Sequence, residues 1–231
     1  MIKALRFTLI TMVGLFLASL FLWAGAMGLA DLAEVRGDGV VARHERGDPL
    51  SYEDWNAAYQ AYLYAAKIHP LSGANEDKLG RLLELWASSD ARQETPARDL
   101  QREALEHFRA AARRRPTWPF SRVGIVRLKA KLGQIDAELM SNLRTAADLA
   151  PMVQVVQEPL MDLGFVAWDL LDKQTRDAVL AIIDRNLLLN PRRAIQHAIG
   201  YRRVDLIEGR LDADPALALL YRDLARASKT K

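Results

Sequence analysis

The sequence contains no cysteine among its 231 residues. This absence excludes disulfide bonds, thiolate metal sites and a cysteine nucleophile, and it leaves the redox compartment of the protein open. The excess of positive charge is also small: the net charge is +3, and Lys3 and Arg6 supply two of those charges. We therefore expect no nucleic-acid partner, because general nucleic-acid binding needs a basic surface.

Sequence motifs that indicate a catalytic, metal-binding or phosphate-binding site are also scarce. No two of the four histidines stand at metal-ligand spacing with carboxylates close by, so we expect no metal site. The sequence has no glycine-rich phosphate loop and no G-x-S-x-G motif. We expect no cofactor and no catalytic residue, and hence no enzyme, although an enzyme with a less obvious site is an open third alternative.

The N-terminus carries a long apolar run. Phe7 to Ala30 is a stretch of 24 residues without a charge. As a helix it would measure about 36 Å, against a hydrocarbon core of about 30 Å. We expect residues 1–30 to be a transmembrane anchor; a signal peptide cleaved after Gly28–Ala30 and a buried core helix are the alternatives. The basic residues Lys3 and Arg6 predict a cytoplasmic N-terminus and an external C-terminal domain, which in a bacterium is periplasmic.

A spacing recurs after the apolar run: a small residue, a large one four positions on, a small one seven positions on and a proline twelve positions on. The two complete copies are Ala58, Tyr62, Ala65 and Pro70, and Ala104, Phe108, Ala111 and Pro116. Degraded copies are Leu139, Leu143, Ala146 and Pro151, and Val179, Ile183, Asn186 and Pro191. Positions four and seven apart share one helix face, where small residues let a neighbouring helix approach, and the proline ends the helix.

The repeat resembles the tetratricopeptide repeat, or TPR. The prolines are 46, 35 and 40 residues apart, close to the period of about 34 of that repeat. The polar stretch Ser88–Asp99 accounts for the longest interval as an inserted loop. Leu79 and Gly80 stand where a TPR has a Leu-Gly pair. Another bundle of alanine-rich helical hairpins is the alternative.

These observations predict an all-α protein, with an N-terminal transmembrane helix followed by a TPR-like α-hairpin repeat domain. The expected divisions are residues 1–30 as the anchor, 31–50 as a linker, 51–211 as the repeat domain, and 212–231 as a C-terminal capping helix with a basic tail. The expected helices lie near 51–69, 74–88, 98–115, 119–132, 135–150, 158–171, 173–190, 192–210 and 214–227. Ser51 is the expected N-cap of the first of these helices.

Two surfaces are candidates for binding. Arg127 and Lys131 share a helix face and are expected to meet an acidic partner in the groove of the repeats, unless they belong to a solvated basic helix. Phe165 and Trp168 are expected to offer an aromatic surface, unless they are core residues. The expected groove residues are Arg81, Glu84, Phe120, Arg127, Lys131, Phe165, Trp168 and Asp169.

Several short motifs in order extend the resemblance to a narrower group. "RRPTWPF" (Arg114–Phe120), then "LKAKLGQIDAEL", then "DLGFVAWDLL" are similar to VpsP-type TPR proteins, which are encoded with bacterial exopolysaccharide and exosortase systems. The resemblance implies an inner-membrane accessory protein in polysaccharide polymerisation or export. Its partners would be the bilayer, other proteins of that machinery and, as a further ligand, a glycan. The resemblance assigns no catalytic residue to this chain.

The expected function is therefore a membrane-anchored periplasmic scaffold that acts by protein–protein interaction. The alternative is a periplasmic module without enzymatic activity that binds a glycan or a peptide directly, in the manner of a chaperone.

Overall fold

The structure is a computed structural model that describes residues 2–89 and 96–229. All regular structure in these two ranges is helical, which confirms the predicted all-α class. The helices are α1 (Ile2–Glu45), α2 (Tyr52–Ile68), α3 (Gly73–Ala87), α4 (Ala97–Arg114), α5 (Pro119–Lys131), α6 (Ala137–Leu149), α7 (Gln154–Ala167), α8 (Lys173–Leu189), α9 (Pro191–Gly200), α10 (Glu208–Ala213) and α11 (Pro215–Lys229). By its contacts the chain divides into two compact units, residues 1–107 and 108–231.

Helix α1 is longer than the sequence predicts. It continues to Glu45 and so occupies most of segment 31–50, the expected linker, which is therefore largely helical. Gly37 and Gly39 lower the helix propensity of this segment, but packing overrides that preference. A Cβ at Gly37 would lie 2.5 Å from Cε1 of Tyr62, so the glycine lets α2 lie directly against α1. Val40 is also buried.

Polar pairs fix how α1, α2 and α3 pack in the first unit. Arg43 Nη2 lies 2.7 Å from Asp54 Oδ1, and the Tyr62 hydroxyl donates to Asp38 over 2.8 Å. Lys78 of α3 donates to Asp38 and to Glu34, each over 2.8 Å. Burial is the main reason that the pKa of Tyr62 is raised, and the hydrogen bond to Asp38 adds to it. Helices α1 and α2 are therefore held antiparallel in one register.

The residues of the repeat spacing occupy equivalent places. Its small and large members are buried: Ala58, Tyr62, Ala65, Ala104, Phe108, Ala111, Leu139, Leu143, Ala146, Val179, Ile183 and Asn186, together with Leu79 and Gly80. Pro70, Pro116 and Pro151 are exposed and lie just after a helix end. Each of the first three copies therefore supplies the buried face of one helix and the turn that follows it, whereas Pro191 of the fourth copy is the first residue of α9.

The second unit has one continuous apolar core. Helices α5 to α11 contribute to it, with Leu143, Phe165, Ile183, Ile195 and Leu224 among its members. Leu224 lies on α11, within the segment 212–231 that was predicted as a capping helix. Its burial shows how α11 closes one side of this core.

A buried cation ties α5 to α6. Lys129 Nζ lies 2.8 Å from Asp136 and 2.7 Å from Glu138, and its side chain is 3% exposed. Burial alone would lower the pKa of Lys129, but the hydrogen bonds to the two carboxylates raise it. A hydrogen bond from Arg109 is the largest cause that lowers the pKa of Glu138, to about 2. These residues are therefore charged at neutral pH.

The predicted helix 192–210 is interrupted. Helix α9 ends at Gly200, and Arg202 takes a left-handed conformation with φ of 56°. The N–H of Arg203 donates to the carbonyl of Ala198 over 2.8 Å, and that of Arg202 donates to Ile199 over 3.1 Å. This is a Schellman motif. Its left-handed position is usually occupied by glycine, so an arginine there gives no sequence signal for the end of the helix.

Half of the inserted loop that the sequence predicts at Ser88–Asp99 falls outside the described residues, because 90–95 are not among them. Helix α4 begins at Ala97, within the predicted loop.

Candidate partner-binding site

A groove runs across α5, α7 and the end of α9 in the second unit. It has a volume of about 390 Å³, and we call it the α5–α7–α9 groove. Its lining consists of Val123, Val126, Arg127, Ala130, Lys131, Pro159, Asp162, Leu163, Val166 and Tyr201. On each helix these positions are three or four apart, so one face of α5 and one face of α7 line the groove.

The groove combines an apolar floor with charged sides. Val166 is 67% exposed and offers its side chain to a ligand. Arg127 and Lys131 make the α5 side basic. On the opposite side, Asp162 Oδ1 lies 2.5 Å from Nδ1 of His197. Such a groove suits an amphipathic segment that has apolar side chains and an acidic group for the α5 side.

Tyr201 closes the α9 end of the groove. The residue is 41% exposed, and its ring lies 6.0 Å from the ring of Phe165 beneath it. Burial is the main cause that raises the pKa of Tyr201, and the negative charge of Asp162 raises it further. The Tyr201 hydroxyl is therefore neutral at physiological pH and can donate a hydrogen bond.

The structure places Arg127 and Lys131 along the α5–α7–α9 groove, whereas Phe165 does not line it. Phe165 is 1% exposed and belongs to the core. The prediction of Phe165 as a groove residue is therefore corrected. Val166, its neighbour, faces the groove instead, because successive residues of a helix point about 100° apart.

Trp168 and Asp169 lie beyond the end of α7, in a 3₁₀ turn (Trp168–Leu170). The Trp168 ring is half-buried, with the guanidinium of Arg176 5.6 Å from its centroid. Asp169 is exposed, and its carboxylate lies 3.2 Å from Arg203. Neither residue lines the groove.

The remaining predicted groove residues lie elsewhere. Phe120 is half-buried, with its ring 4.8 Å from that of Trp118. Arg81 and Glu84 belong to the first unit: Arg81 is exposed and pairs with Glu45, whereas Glu84 is 6% exposed. Glu84 is therefore too buried to be a groove residue, and that prediction is corrected as well.

Sequence reasoning missed Asp162, Val166, His197 and Tyr201. Pro159, Asp162, Leu163 and Val166 do have the spacing of one helix face. A second apolar face of α7, which carries Leu160 and Phe165, conceals this signal because both faces contain large apolar residues. His197 and Tyr201 follow in the sequence only after α8, so their proximity to Asp162 depends on the packing of α9.

An aromatic cluster in the first unit was also missed. Trp55 stacks on Tyr59 with ring centroids 5.2 Å apart and on Trp86 with centroids 5.1 Å apart. Tyr52 completes the cluster at 6.1 Å from Trp86. The Tyr59 hydroxyl donates to Glu103 over 3.0 Å, and burial is the main cause that raises its pKa to about 12. These rings stack on one another and thereby join α2 to α3.

Among the described residues, no group of three histidine, aspartate or glutamate side chains has an arrangement that holds a metal ion. The polar groups of the groove are suited to hydrogen bonds and ion pairs with a ligand. The chain matches no protein-family model, and no curated protein matches it.

Proposed function

We propose that this protein is a single-pass membrane protein whose helical-repeat domain binds a segment of a partner protein in the α5–α7–α9 groove. The groove is the observation that carries this proposal, because it joins an apolar floor to basic residues on one side and Asp162 on the other. Repeat folds act by binding along such concave faces. We propose a scaffold or accessory role without catalysis.

The membrane part of the proposal is supported by α1. Within the described residues, Leu9–Glu45 is long and apolar enough to cross a bilayer, with a mean hydropathy of 2.1 in its most apolar window. The side chains of this window are not buried in the protein, unlike those of a core helix. Lys3 and Arg6 precede the apolar run, which favours a cytoplasmic N-terminus and a periplasmic domain at the bacterial inner membrane.

The repeat part of the proposal is supported by burial. The small and large residues of the spacing are buried, and the prolines follow helix ends. This is what a TPR-like hairpin array requires, since each hairpin buries its small residues against its neighbour.

The cellular role is proposed from the resemblance to VpsP-type proteins. It is an accessory role in exopolysaccharide synthesis or export, with other proteins of that machinery as partners. An alternative is direct binding of a peptide or a glycan. The apolar floor of the groove favours a peptide, whereas burial of Phe165 removes the aromatic surface that was expected for a glycan.

Site-specific photo-crosslinking in native membranes tests the proposed function. Val166 and Val155 both lie on α7 and are 67% and 66% exposed, but Val155 does not line the groove. A photoreactive amino acid at position 166 should give a discrete protein adduct that is absent at position 155. Mass spectrometry then identifies the partner.

Equal adducts at the two positions, or none at either, would contradict the groove as the partner site. An adduct of carbohydrate mass at position 166 would favour the glycan-binding alternative.

A further inference from the structure

The turn between α2 and α3 is exposed and apolar at its tip. It consists of His69, Pro70, Leu71 and Ser72, and Leu71 is 84% exposed. The side chain of Leu71 therefore leaves most of its apolar surface open to whatever lies beyond the turn. Its place along α1 indicates what covers it.

The register of α1 and α2 gives that place. Asp38 pairs with Tyr62, and Arg43 pairs with Asp54. Both helices rise by about 1.5 Å per residue in opposite directions. Helix α2 ends at Ile68, six residues after Tyr62, and Leu32 is six residues before Asp38. The turn that carries Leu71 therefore begins about level with Leu32, next to the end of the uncharged run of α1.

The residues before the turn have the character of a membrane interface. Lys67 is exposed and lies in the last turn of α2, near the level of Asp31, the first charged residue after the apolar run. Tyr64 is 46% exposed and lies a further turn away from the apolar run. Lysine and tyrosine are the residues that favour the headgroup layer, whereas leucine favours the hydrocarbon below it.

We propose that the α2–α3 turn inserts into the surface of the bilayer that α1 crosses, with Leu71 at the edge of the hydrocarbon and Lys67 among the lipid phosphates. The proposal rests on the membrane anchorage proposed above. It means that the first unit lies directly on the bilayer, fixed by α1 and by the turn. A continuous helix from the span to Glu45 agrees with this, since it leaves no flexible tether.

The absence of cysteine makes a direct test possible, because each introduced cysteine is the only thiol in the chain. Three single variants of the full chain, Leu71→Cys, Phe16→Cys and Glu53→Cys, are labelled with a polarity-sensitive fluorophore. They are reconstituted in vesicles of phosphatidylethanolamine and phosphatidylglycerol. A fraction of the lipid carries a nitroxide quencher, near the top of its acyl chain in one preparation and near the end of the chain in a second.

Phe16 is an exposed residue of the apolar run and reports the anchor itself. Glu53 is an exposed residue at the opposite end of α2, about 23 Å from the last helical residue Ile68 at 1.5 Å per residue. We expect a blue shift at positions 16 and 71, with position 71 quenched more by the shallow nitroxide and position 16 more by the deep one, and neither effect at position 53.

Quenching at position 16 but not at position 71 would overturn the insertion of the turn and leave the anchor standing. Loss of quenching at both positions would overturn the anchor and this proposal with it. Leu71 is 84% exposed, so its replacement removes no core contact. The Leu71→Cys variant should therefore fold like the unmodified protein, and either result can be read as a statement about membrane insertion.

Discussion

At the scale of single residues, Phe108 shows why the repeat spacing contains a large residue. It is 3% exposed, and its ring occupies the space over Gly124, where a Cβ would lie 2.7 Å from the ring. The Phe108 ring fills the space that Gly124 leaves open because it has no side chain. Truncation of the ring would leave a cavity that the backbone of α5 cannot fill without moving.

We predict that Phe108→Ala lowers the free energy of unfolding by about 3–5 kcal/mol, as for other buried aromatic residues. Chemical denaturation of the full chain in detergent measures it. Phe16→Ala is the matched control, because Phe16 is 63% exposed, and its replacement should leave the unfolding of the helical domain unchanged. A loss below about 1 kcal/mol for Phe108→Ala would contradict the role of this ring in the core.

Glu138 is a residue whose ionisation should make the stability of the folded protein depend on pH. The hydrogen bond from Arg109 is the main cause that lowers its pKa from 4.5 to about 2. A carboxylate with a lowered pKa stabilises the folded state above its ordinary pKa, and this stabilisation is lost as the pH falls through the folded-state value. The contribution of Glu138 should therefore disappear between about pH 4.5 and pH 2.

We predict that Glu138→Gln destabilises the protein at neutral pH and that its difference from the unmodified protein shrinks as the pH falls from 4.5 towards 2. Urea denaturation at a series of pH values measures this difference. In an Arg109→Gln background the effect should be smaller, because the main cause of the shift is absent. A constant difference over the same pH range would show that Glu138 does not act through its charge.

At the scale of the elements, the start of α2 depends on a cap that the sequence reveals. The Ser51 side chain accepts a hydrogen bond from the N–H of Asp54 over 3.1 Å. This bond satisfies one of the N–H groups that have no partner within the first turn of a helix. Asp54 also holds Arg43 of α1, so the same turn begins α2 and pairs it with α1.

We predict that Ser51→Ala lowers the free energy of unfolding by about 0.5–2 kcal/mol through loss of the cap. Ser51→Thr keeps the hydroxyl oxygen and should retain most of the stability. Thermal unfolding followed by circular dichroism compares the two variants. If alanine and threonine were equivalent, the hydrogen bond of Ser51 would make no measurable contribution.

At the scale of the whole molecule, topology is the property on which the proposed function depends most. The basic residues Lys3 and Arg6 stand before an uncharged run of 24 residues, and the folded units follow it. Basic residues next to a span remain on the cytoplasmic side. The groove and any partner that it binds would then lie in the periplasm.

We predict that alkaline phosphatase fused after Lys231 is active, whereas a reporter that works only in the cytoplasm is inactive at the same position. Replacement of Lys3 and Arg6 by glutamate should weaken this preference, because it removes the positive charge that sets the orientation. Strong activity of the cytoplasmic reporter in the unmodified protein would overturn the predicted topology.

The sequence alone determined the helical class, the apolar N-terminal helix and most helix boundaries. These depend on local signals: an uncharged run, residues three and four apart, caps such as Ser51, and prolines that end helices. It also indicated which residues are buried, since Ala58, Tyr62 and Phe108 were placed in the repeat spacing and are core residues. Such signals lie within one helix and need no knowledge of its neighbours.

The tertiary structure decided the rest. Only the packing of α2 on α1 keeps residues 31–45 helical despite two glycines. Only the packing of α5, α7 and α9 shows that Val166 and not Phe165 faces the groove, and that His197 meets Asp162. Both faces of α7 carry apolar residues, so the neighbouring helices decide which face is buried and which lines the groove. Those helices are distant in the sequence, and the residues of α7 alone do not contain this information.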